Sequence, residues 1–392
     1  MDFKENISFI LVKSKEDARL VLGTLVGSII SLMVFSFSMV MIVLNRASST
    51  LSPRVIPGLI TDKSNQVVLG FYLGSIIYSL ILIVNVQSEE TIHTPDFGIL
   101  LAMIFGITCL AFFMYFIHTI SQNIQVDNII YSIFTKTKEG MQRFSLKEDE
   151  KEDELPDASD WFTLNTSKAG YFKQVNVKEL IKLCEHHKIK VQMLEPVGFF
   201  FVENSPLLRT DKEINDELKD EIENCFILYP QEWVSDHYVF GFKQISEIAV
   251  KALSPGINDP GTAIKGIHLL TLLYIKKIEM NERFIIQDKE GENRFFFKEI
   301  TLEKLFDDHI TQIRIYGKSD TLVMLALLHG LLSMYRADVN KKHDNSITSY
   351  FKGITETCNQ NIESKLDFSS INMVIEEFNS LSPSPVIAHL GV

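Results

Sequence analysis

Charged side chains are absent from three long stretches near the start of this 392-residue chain. The longest, Leu20–Leu44, holds twenty-five residues, and Val67–Val86 and Phe97–Tyr115 follow it. A helix on the surface of a soluble protein normally turns a charged face to water. A helix of this length reaches about 37 Å, and the hydrocarbon core of a bilayer is about 30 Å thick. The missing charge therefore predicts three transmembrane helices, with spans at about 20–44, 67–86 and 97–118.

The lack of intramembrane charge also limits the mechanism. Proton-coupled transporters and ion antiporters normally need an ionisable group within the membrane. The predicted spans contain no Asp, Glu, Lys or Arg, and His118, with Gln122 one turn later, is the nearest approach to such a group. We expect His118 at the cytoplasmic exit of the third span, where water reaches it. Proton-coupled transport and ion antiport are therefore not predicted.

Cysteine and dense basic clusters are scarce as well. The four cysteines are far apart and form no C-x-x-C pair: Cys109, Cys184, Cys225 and Cys358. This spacing predicts neither a disulfide framework nor a zinc site and is typical of a reducing compartment. The net charge is −12, and no dense Lys/Arg patch interrupts it. Nucleic acid is therefore not an expected partner.

Catalytic signatures are missing from the sequence, which has no G-x-S-x-G, Walker, H-E-x-x-H or dinucleotide-binding pattern. His186 and His187 follow Cys184 too closely on one predicted helix for a zinc site. We predict a solvated helix face at 307–309 and a buried core histidine at His329. No catalytic, cofactor-binding or metal-binding residue is predicted, and the protein is not expected to be an enzyme.

Loop charge predicts the topology. The segment after the first span carries Arg46, Arg54 and Lys63, whereas Gln87–Asp96 holds only acidic charges. The positive-inside rule places the first of these loops in the cytoplasm, so the third span exits there together with the C-terminal part. Three spans put the N-terminus outside, which conflicts with basic residues such as Lys13; a fourth or re-entrant element would resolve that conflict.

After the spans, the hydrophobic periodicity alternates between strand-like and helix-like. Strands are predicted at 170–175, 189–195, 199–203, 222–229, 284–288 and 294–298. Helices are predicted at 177–187, 240–253, 260–278, 302–315, 319–337, 345–366 and 369–380. A turn at 196–198 predicts that the second and third strands form a hairpin, and the last two strands flank a second such turn.

The predicted fold class is a membrane α-helical N-terminal part with three transmembrane helices, followed by a cytoplasmic α+β domain with a small β-rich subdomain and a helical C-terminal region. The third helix is expected to continue as a stalk to Phe134, and the acidic run at 147–160 is typical of a solvated linker. The predicted divisions are an N-terminal segment (1–19), a transmembrane domain (20–134), an acidic linker (135–165), a small α+β subdomain (166–230), a mainly helical domain (231–380) and a tail (381–392).

The first span carries a polar seam at seven-residue spacing. Its members are Thr24, Ser31, Ser38 and Asn45, with Gly23 and Gly27 on a neighbouring strip. The second span has a similar set: Gly70, Gly74, Tyr78, Ser79 and Asn85. Small residues let membrane helices approach closely and hydroxyls bond across the contact, so helix packing is one interpretation. The other is a hydroxyl-lined pore formed by several copies of the first helix, and the two are compatible.

The most distinctive soluble stretch is ALSPGINDPGTA at 252–263. Gly256 is predicted to take the left-handed conformation that ends a helix. Asp259 is predicted to cap the next helix, with Pro260 at its first position. A helix N-terminus also attracts anions, so a phosphate or carboxylate site is the alternative. The residues assigned to this structural or ligand turn are Ser254, Pro255, Gly256, Asn258, Asp259 and Pro260.

Four stretches together resemble DUF2254, a family of bacterial predicted membrane proteins. They are ARLVLGTLVGSI (18–29), SPRVIPGLITDKSNQVVLGFYLGSIIYSL (52–80), YFIHTISQNIQVDNII (115–130) and ALSPGINDPGTA. The resemblance runs to about residue 270 and supplies no catalytic residues. It implies a further transmembrane helix ahead of the first stretch, which would make the N-terminus cytoplasmic. Gly261 stands where the family usually has a bulkier residue.

Two hypotheses on function follow for a multi-pass protein of the bacterial inner (plasma) membrane. The first is a homo-oligomeric channel or pore-like transport protein, gated by its cytoplasmic domain, whose first span lines the path of an ion or small ligand. The second is a membrane-anchored sensor or scaffold whose cytoplasmic domain binds a ligand or partner protein at the 252–263 turn. Both have the lipid bilayer as a partner, and neither involves a cofactor. The permeant species, the number of subunits and the gating trigger are not specified by the sequence.

Overall fold

A computed structural model describes residues 14–50, 63–87, 96–123, 126–144, 155–229, 237–280, 285–298, 300–382 and 386–391. The chain divides into two compact units, Met1–Ile129 and Ile130–Val392. Most of the 1–19 segment, most of the two loops used for the topology prediction, the acidic residues 147–154 and part of the 381–392 tail lie outside the described residues.

Three long helices begin the chain: α1 (Lys15–Thr50), α2 (Lys63–Gln87) and α3 (Asp96–Asn123). Each contains a segment long and apolar enough to cross a bilayer, at 15–45, 66–86 and 97–119. The prediction of three apolar N-terminal helices is thereby confirmed. The three helices share buried clusters, such as the one that contains Leu22, Leu82 and Ala102.

A fourth helix, α4 (Val126–Phe144), comes next among the described residues. The predicted end of the stalk at Phe134 is wrong, because α4 extends ten residues further, whereas its continuity with α3 stays a prediction, since residues 124 and 125 lie outside the described residues. The buried residues of α4 recur at helical spacing: Ile130, Ile133, Thr137 and Met141. This amphipathic pattern continues past residue 134, so the segment predicted as a linker from 135 begins as a helix.

Two small sheets form part of the second unit. The elements are β1 (Phe162–Asn165), β2 (Gly170–Val175), α5 (Val177–His187), β3 (Val191–Met193), β4 (Phe200–Phe201), β5 (Pro206–Thr210), α6 (Asp216–Asn224) and β6 (Phe226–Tyr229). Two further strands come later in the chain, β7 (Ile285–Gln287) and β8 (Asn293–Phe296). One sheet has the order β1-β5-β3-β8-β7 and the other β4-β2-β6. Phe172, Leu208 and Phe295 belong to their common buried core.

β3 and β4 do not form the predicted hairpin. β3 pairs antiparallel with β5 and parallel with β8, whereas β4 pairs with β2. The turn at 196–198 redirects the chain, because the Gly198 N–H, at a φ of +94°, donates to Phe172 O at 2.8 Å. The Phe172 N–H in turn donates to Phe199 O at 2.8 Å, which attaches the chain after the turn to β2. The second predicted hairpin, β7 with β8, is confirmed.

The strand predicted at 222–229 begins only at Phe226, because the residues before it form α6. Glu223 of α6 is buried, and its carboxylate accepts hydrogen bonds from the Thr166 hydroxyl at 2.7 Å and the Ser167 N–H at 2.6 Å. Burial raises the pKa of this carboxyl, but the hydrogen bonds outweigh burial and hold the pKa below its usual value. The end of α6 is thereby attached to the loop between β1 and β2.

Six more helices belong to the second unit: α7 (Val239–Ala252), α8 (Pro260–Glu279), α9 (Leu302–Gly317), α10 (Thr321–Ala337), α11 (Asp344–Asn361) and α12 (Lys365–Leu381). All of the helices predicted in this region are present. Most boundaries differ by one or two residues, and the largest difference lies between α11, which ends at Asn361 instead of 366, and α12, which starts at Lys365 instead of 369. Ser364 causes this shift by capping α12, where its hydroxyl accepts a hydrogen bond from the Asp367 N–H at 3.4 Å.

Two histidines have the opposite environments to those predicted. His309 is buried rather than solvated, and His329 is exposed rather than buried. The His309 ring stacks on Phe242 with 6.3 Å between centroids, and burial lowers its pKa to about 4. Helical spacing explains both results, because His309 lies on the same side of α9 as buried Phe306, and His329 on the same side of α10 as exposed Leu322.

Gly241 of α7 packs directly against Thr137 of α4. A Cβ at position 241 would lie 1.7 Å from Thr137 Oγ1. We therefore expect Gly241→Ala to lower the free energy of unfolding by about 1–3 kcal/mol through overpacking. Gly353→Ala in α11 is the matched control, because its Cβ would meet no atom within 4 Å and alanine favours the helix. Denaturation of both variants in detergent measures the difference, and equal stabilities would contradict the packing of α4 on α7.

Candidate functional site

The polar seam of the first span lies on the outside of the three-helix unit. Thr24, Ser31, Ser38 and Asn45 are all exposed. The buried residues of α1 include Leu22, Val26, Ile29, Ser36 and Leu44. At about 100° per residue, the seam residues lie within roughly 60° of one another, and the buried residues lie on the opposite side of the helix. The seam therefore faces away from α2 and α3.

The seam hydroxyls are bonded within α1. Each donates to the carbonyl oxygen four residues earlier: Thr24 to Leu20 at 2.7 Å, Ser31 to Gly27 at 2.9 Å and Ser38 to Val34 at 2.9 Å. These bonds satisfy the hydroxyl donors and leave oxygen lone pairs that can still accept a hydrogen bond. The seam thus presents neutral acceptor oxygens at the outer surface of the unit.

The glycines of the three helices are of two kinds. In α3, a Cβ at Gly98 would lie 3.0 Å from the Leu82 side chain, and one at Gly106 would lie 2.6 Å from the Leu25 side chain. These two glycines therefore permit close packing within the unit. A Cβ at any of four other glycines would meet no atom within 4 Å: Gly23, Gly27, Gly70 and Gly74. Small-residue surfaces of α1 and α2 are thus uncovered in the described chain.

The outer face of α3 has a different composition. It presents large apolar side chains that are between 48% and 69% exposed: Ile104, Ile107, Leu110 and Met114. Large apolar side chains suit contact with acyl chains, whereas small residues suit contact with another helix. Large apolar side chains are exposed on α1 and α2 as well, for example Ile42 and Ile81, so the small residues form patches on an outer surface that is otherwise apolar on all three helices.

Polar side chains also lie inside the unit. Ser36, Tyr72, Ser75, Ser79 and Cys109 are each at most 2% exposed. Among them, only Ser79 belongs to the polar sets predicted on the first two spans. The recurrence of Tyr72, Ser75 and Ser79 on one side of α2, at spacings of three and four, is the signal that could have identified Tyr72 and Ser75.

The 252–263 stretch forms a tight connection between α7 and α8. The Asp259 N–H donates to Ala252 O at 2.8 Å, and Asn258 has a φ of +49°. Gly256 does not have a positive φ, so the prediction that it ends α7 in the left-handed conformation is wrong. Asn258 takes that conformation, which asparagine tolerates because its short side chain can bond locally.

Asp259 caps α8 and Pro260 is its first residue, as the sequence predicts. The Asp259 carboxylate accepts from the Thr262 hydroxyl at 2.6 Å and from its N–H at 3.1 Å, and these bonds hold the pKa of the carboxyl below its usual value. The Ser254 hydroxyl donates to Lys251 O at 2.7 Å. An anion at the α8 N-terminus would therefore meet a carboxylate, and a ligand role for the turn, including Pro255, stays a prediction.

The described part of the chain contains no candidate metal site. No group of three or more His, Cys, Asp or Glu side chains there is placed to hold a metal ion. The four cysteines are buried and unbridged. Burial raises the pKa of the Cys184 thiol to about 12, so this thiol is protonated at neutral pH.

Three apolar helices followed by small sheets and packed helices define a membrane-associated protein with a mixed α and β part. The chain belongs to DUF2254, a family of predicted membrane proteins, whose profile matches residues 2–333. The match therefore extends beyond about residue 270, the limit of the resemblance noted in the sequence.

The relatives are similar over most of their length. Uncharacterized protein Mb1321c of Mycobacterium bovis and uncharacterized protein Rv1290c of Mycobacterium tuberculosis are each 23% identical to this chain over an alignment that covers 94% of this chain and 75% of the relative. No solved structure matches the chain.

Asp259→Ala should lower the free energy of unfolding by about 1 kcal/mol, the usual cost of losing an N-cap side chain. Asp259→Asn should cost less, because asparagine also caps well. The pKa of Asp259 is lower in the folded protein than in the unfolded chain. Its charge therefore stabilises the fold fully above the unfolded pKa of about 3.9, and this contribution is lost as the pH falls through the lower folded value.

Denaturation of the parent and both variants at decreasing pH tests this expectation. The difference between the parent and Asp259→Asn should shrink in the acid range, whereas the loss caused by Asp259→Ala should persist in part. A parent–Asn difference that does not change down to about pH 3 would contradict the charge contribution.

Proposed function

We propose that this protein is a homo-oligomeric channel or pore-like transport protein of the bacterial inner membrane. Copies of α1 line the path, and the C-terminal part, in the cytoplasm, gates it. The observation that carries the proposal is the outward position of the seam, whose members are Thr24, Ser31, Ser38 and Asn45. In a lone chain these side chains would face lipid, whereas in a ring of copies they face a shared axis.

The seven-residue spacing of the seam supports a ring. Parallel helices that supercoil around one another with a left-handed twist keep residues seven apart on the inner side. Copies of one membrane protein inserted in the same orientation have parallel α1 helices. The pore surface would then be neutral, so selectivity would depend on pore width and on hydroxyl dipoles rather than on fixed charge.

The uncovered glycines supply the contact between neighbouring copies. Gly23 and Gly27 lie beside the seam on α1, and Gly70 and Gly74 lie on the outer side of α2. Small residues allow the α1 helix of one copy to approach the α2 helix of the next closely. The large apolar side chains of α3 then face the acyl chains.

A membrane-anchored sensor or scaffold is the alternative function. It requires that the outer faces of the helices serve packing only and that the 252–263 turn binds a ligand or partner. The Asp259 carboxylate is already bonded to Thr262 at this turn, and its charge opposes an anion there. The channel is therefore the function that the geometry supports better.

Ser38→Asp tests the pore. One carboxylate per copy would form a ring of negative charge on the path, so we expect a higher cation-to-anion permeability ratio in planar bilayers. Ser38→Asn is the matched control, because its side chain has the size of aspartate without the charge and should leave the ratio close to that of the parent. A parent protein that carries no current over a wide range of voltage and tension would refute the channel, as would an unchanged ratio in Ser38→Asp.

Oxidative cross-linking tests the arrangement of the copies. With Gly27→Cys and Gly74→Cys in one chain, each copy carries a thiol on both small-residue surfaces, and we expect a ladder of dimers and higher species on a non-reducing gel. Gly27→Cys with Ile107→Cys is the matched control, since Ile107 is 68% exposed on the lipid-facing side of α3 in this proposal. An equal ladder from the control would contradict the assignment of the faces.

A further inference from the structure

A group of neutral polar side chains lies at the centre of the three-helix unit, on the side of α1 opposite to the seam. Its members are Ser36, Tyr72, Ser75, Ser79 and Cys109, which come from all three helices and are at most 2% exposed. Cys109 lies near the middle of the apolar segment 97–119. We call this group the inner polar cluster.

Two hydroxyls of the inner polar cluster lack hydrogen-bond partners. Six other hydroxyls of these helices donate to the carbonyl four residues earlier: Thr24, Ser31, Ser38, Ser75, Ser79 and Thr108. Ser36 does not make this bond. Neither its Oγ nor the hydroxyl oxygen of Tyr72 has a partner of acceptable geometry, although both atoms are buried.

The two unsatisfied hydroxyls are close together. The Tyr72 hydroxyl lies within reach of the Ser36 side chain and in the same buried cluster as Cys109, although the two hydroxyls do not meet at both hydrogen-bond distance and angle. The Cys109 thiol donates to Ser75 Oγ at 3.6 Å, which leaves its sulfur free to accept. An unpaired buried hydroxyl costs more than an ordinary hydrogen bond contributes, and almost all such groups in proteins are paired with protein or with ordered water. Ser36 and Tyr72 therefore present two buried hydroxyl groups that a third polar group can satisfy.

We propose that the inner polar cluster binds a water molecule between Ser36, Tyr72 and Cys109. No cluster member carries a charge, so an ion would have no counter-charge in this apolar setting, whereas a neutral molecule needs none. A buried water requires about two to four polar partners, and the two hydroxyls and the sulfur can provide them. The water joins α1 to α2 and α3 where apolar contacts alone select one packing weakly. This site does not depend on the proposed channel.

The sign of a stability change separates a bridging water from two bare hydroxyls. With a water bound, Tyr72→Phe removes one of its hydrogen bonds and should lower the midpoint temperature for unfolding of the full chain in lipid nanodiscs. Without one, the same substitution removes an unsatisfied group and should raise the midpoint. Tyr78→Phe is the matched control on α2, because the Tyr78 hydroxyl donates directly to Gly98 O at 3.2 Å. An unchanged or higher midpoint for Tyr72→Phe overturns the proposal.

A direct bond between Ser36 and Tyr72 would also lower the midpoint, so a second measurement must detect the water itself. Water-edited solid-state NMR of the full chain in bilayers, with ring-labelled tyrosine, should transfer water magnetisation to Tyr72. The signal is assigned by its loss in Tyr72→Phe. Ser36→Ala removes one partner of the water and should weaken the transfer. Absence of transfer in the parent, or transfer that Ser36→Ala leaves unchanged, overturns the proposal.

Discussion

Hydrocarbon solvates neither a charge nor an unpaired backbone group, and this constraint determines how the first unit is built. Helices satisfy the backbone, and residues 20–44, 67–86 and 97–119 contain no Asp, Glu, Lys or Arg. Side-chain size and neutral polarity are then the properties that distinguish one helix face from another. Glycine is informative for this reason: Gly98 and Gly106 admit leucine side chains within the unit, whereas Gly70 and Gly74 meet nothing in the single chain.

In the second unit, a buried charged side chain is stabilised by an ion pair and by backbone hydrogen bonds. The Asp288 carboxylate accepts hydrogen bonds from the N–H groups of Glu290 and Glu292 and pairs with Arg294 at 2.7 Å. The bond from Arg294 holds the pKa of Asp288 below its usual value. These contacts close the turn between β7 and β8, and β8 is the strand that joins β3 in the larger sheet. The buried carboxylate of Asp288 thus holds a loop together. Residues 20–44, 67–86 and 97–119 contain no Asp, Glu, Lys or Arg side chain that could do the same.

Hydrophobic periodicity predicted which helices and strands form in this chain better than it predicted which strands pair with one another. The three apolar helices and the β7–β8 hairpin depend on nearby residues, whereas the parallel pairing of β3 with β8 brings Val191 beside Phe295, and neither strand specifies it. Asp307 and Asp308 led to the prediction of a solvated face, so the sequence did not indicate that His309 is buried. Periodicity could not place His329, because α10 is apolar on nearly every side.

The candidate site was predictable to a similar extent. Seven-residue spacing identified the seam, but α1 is too uniformly apolar for the sequence to indicate which side faces outward. The capping of α8 by Asp259 followed from local chemistry, while the choice of Asn258 over Gly256 for the left-handed position depends on the path of the whole turn. Ser36 carried no signal of its own, since its significance arises from Tyr72 on another helix.

The seam and the inner polar cluster are connected through the rotation of α1. Ser36 and Ser38 are two residues apart, so their side chains point about 160° apart around the helix axis. Any interaction that keeps Ser36 beside Tyr72 therefore keeps Ser31 and Ser38 on the outside. Apolar contacts determine this rotation weakly in lipid, because acyl chains and neighbouring helices offer similar surroundings. In the proposed arrangement, a polar link at the centre of the unit holds the hydroxyl seam where other copies can meet it.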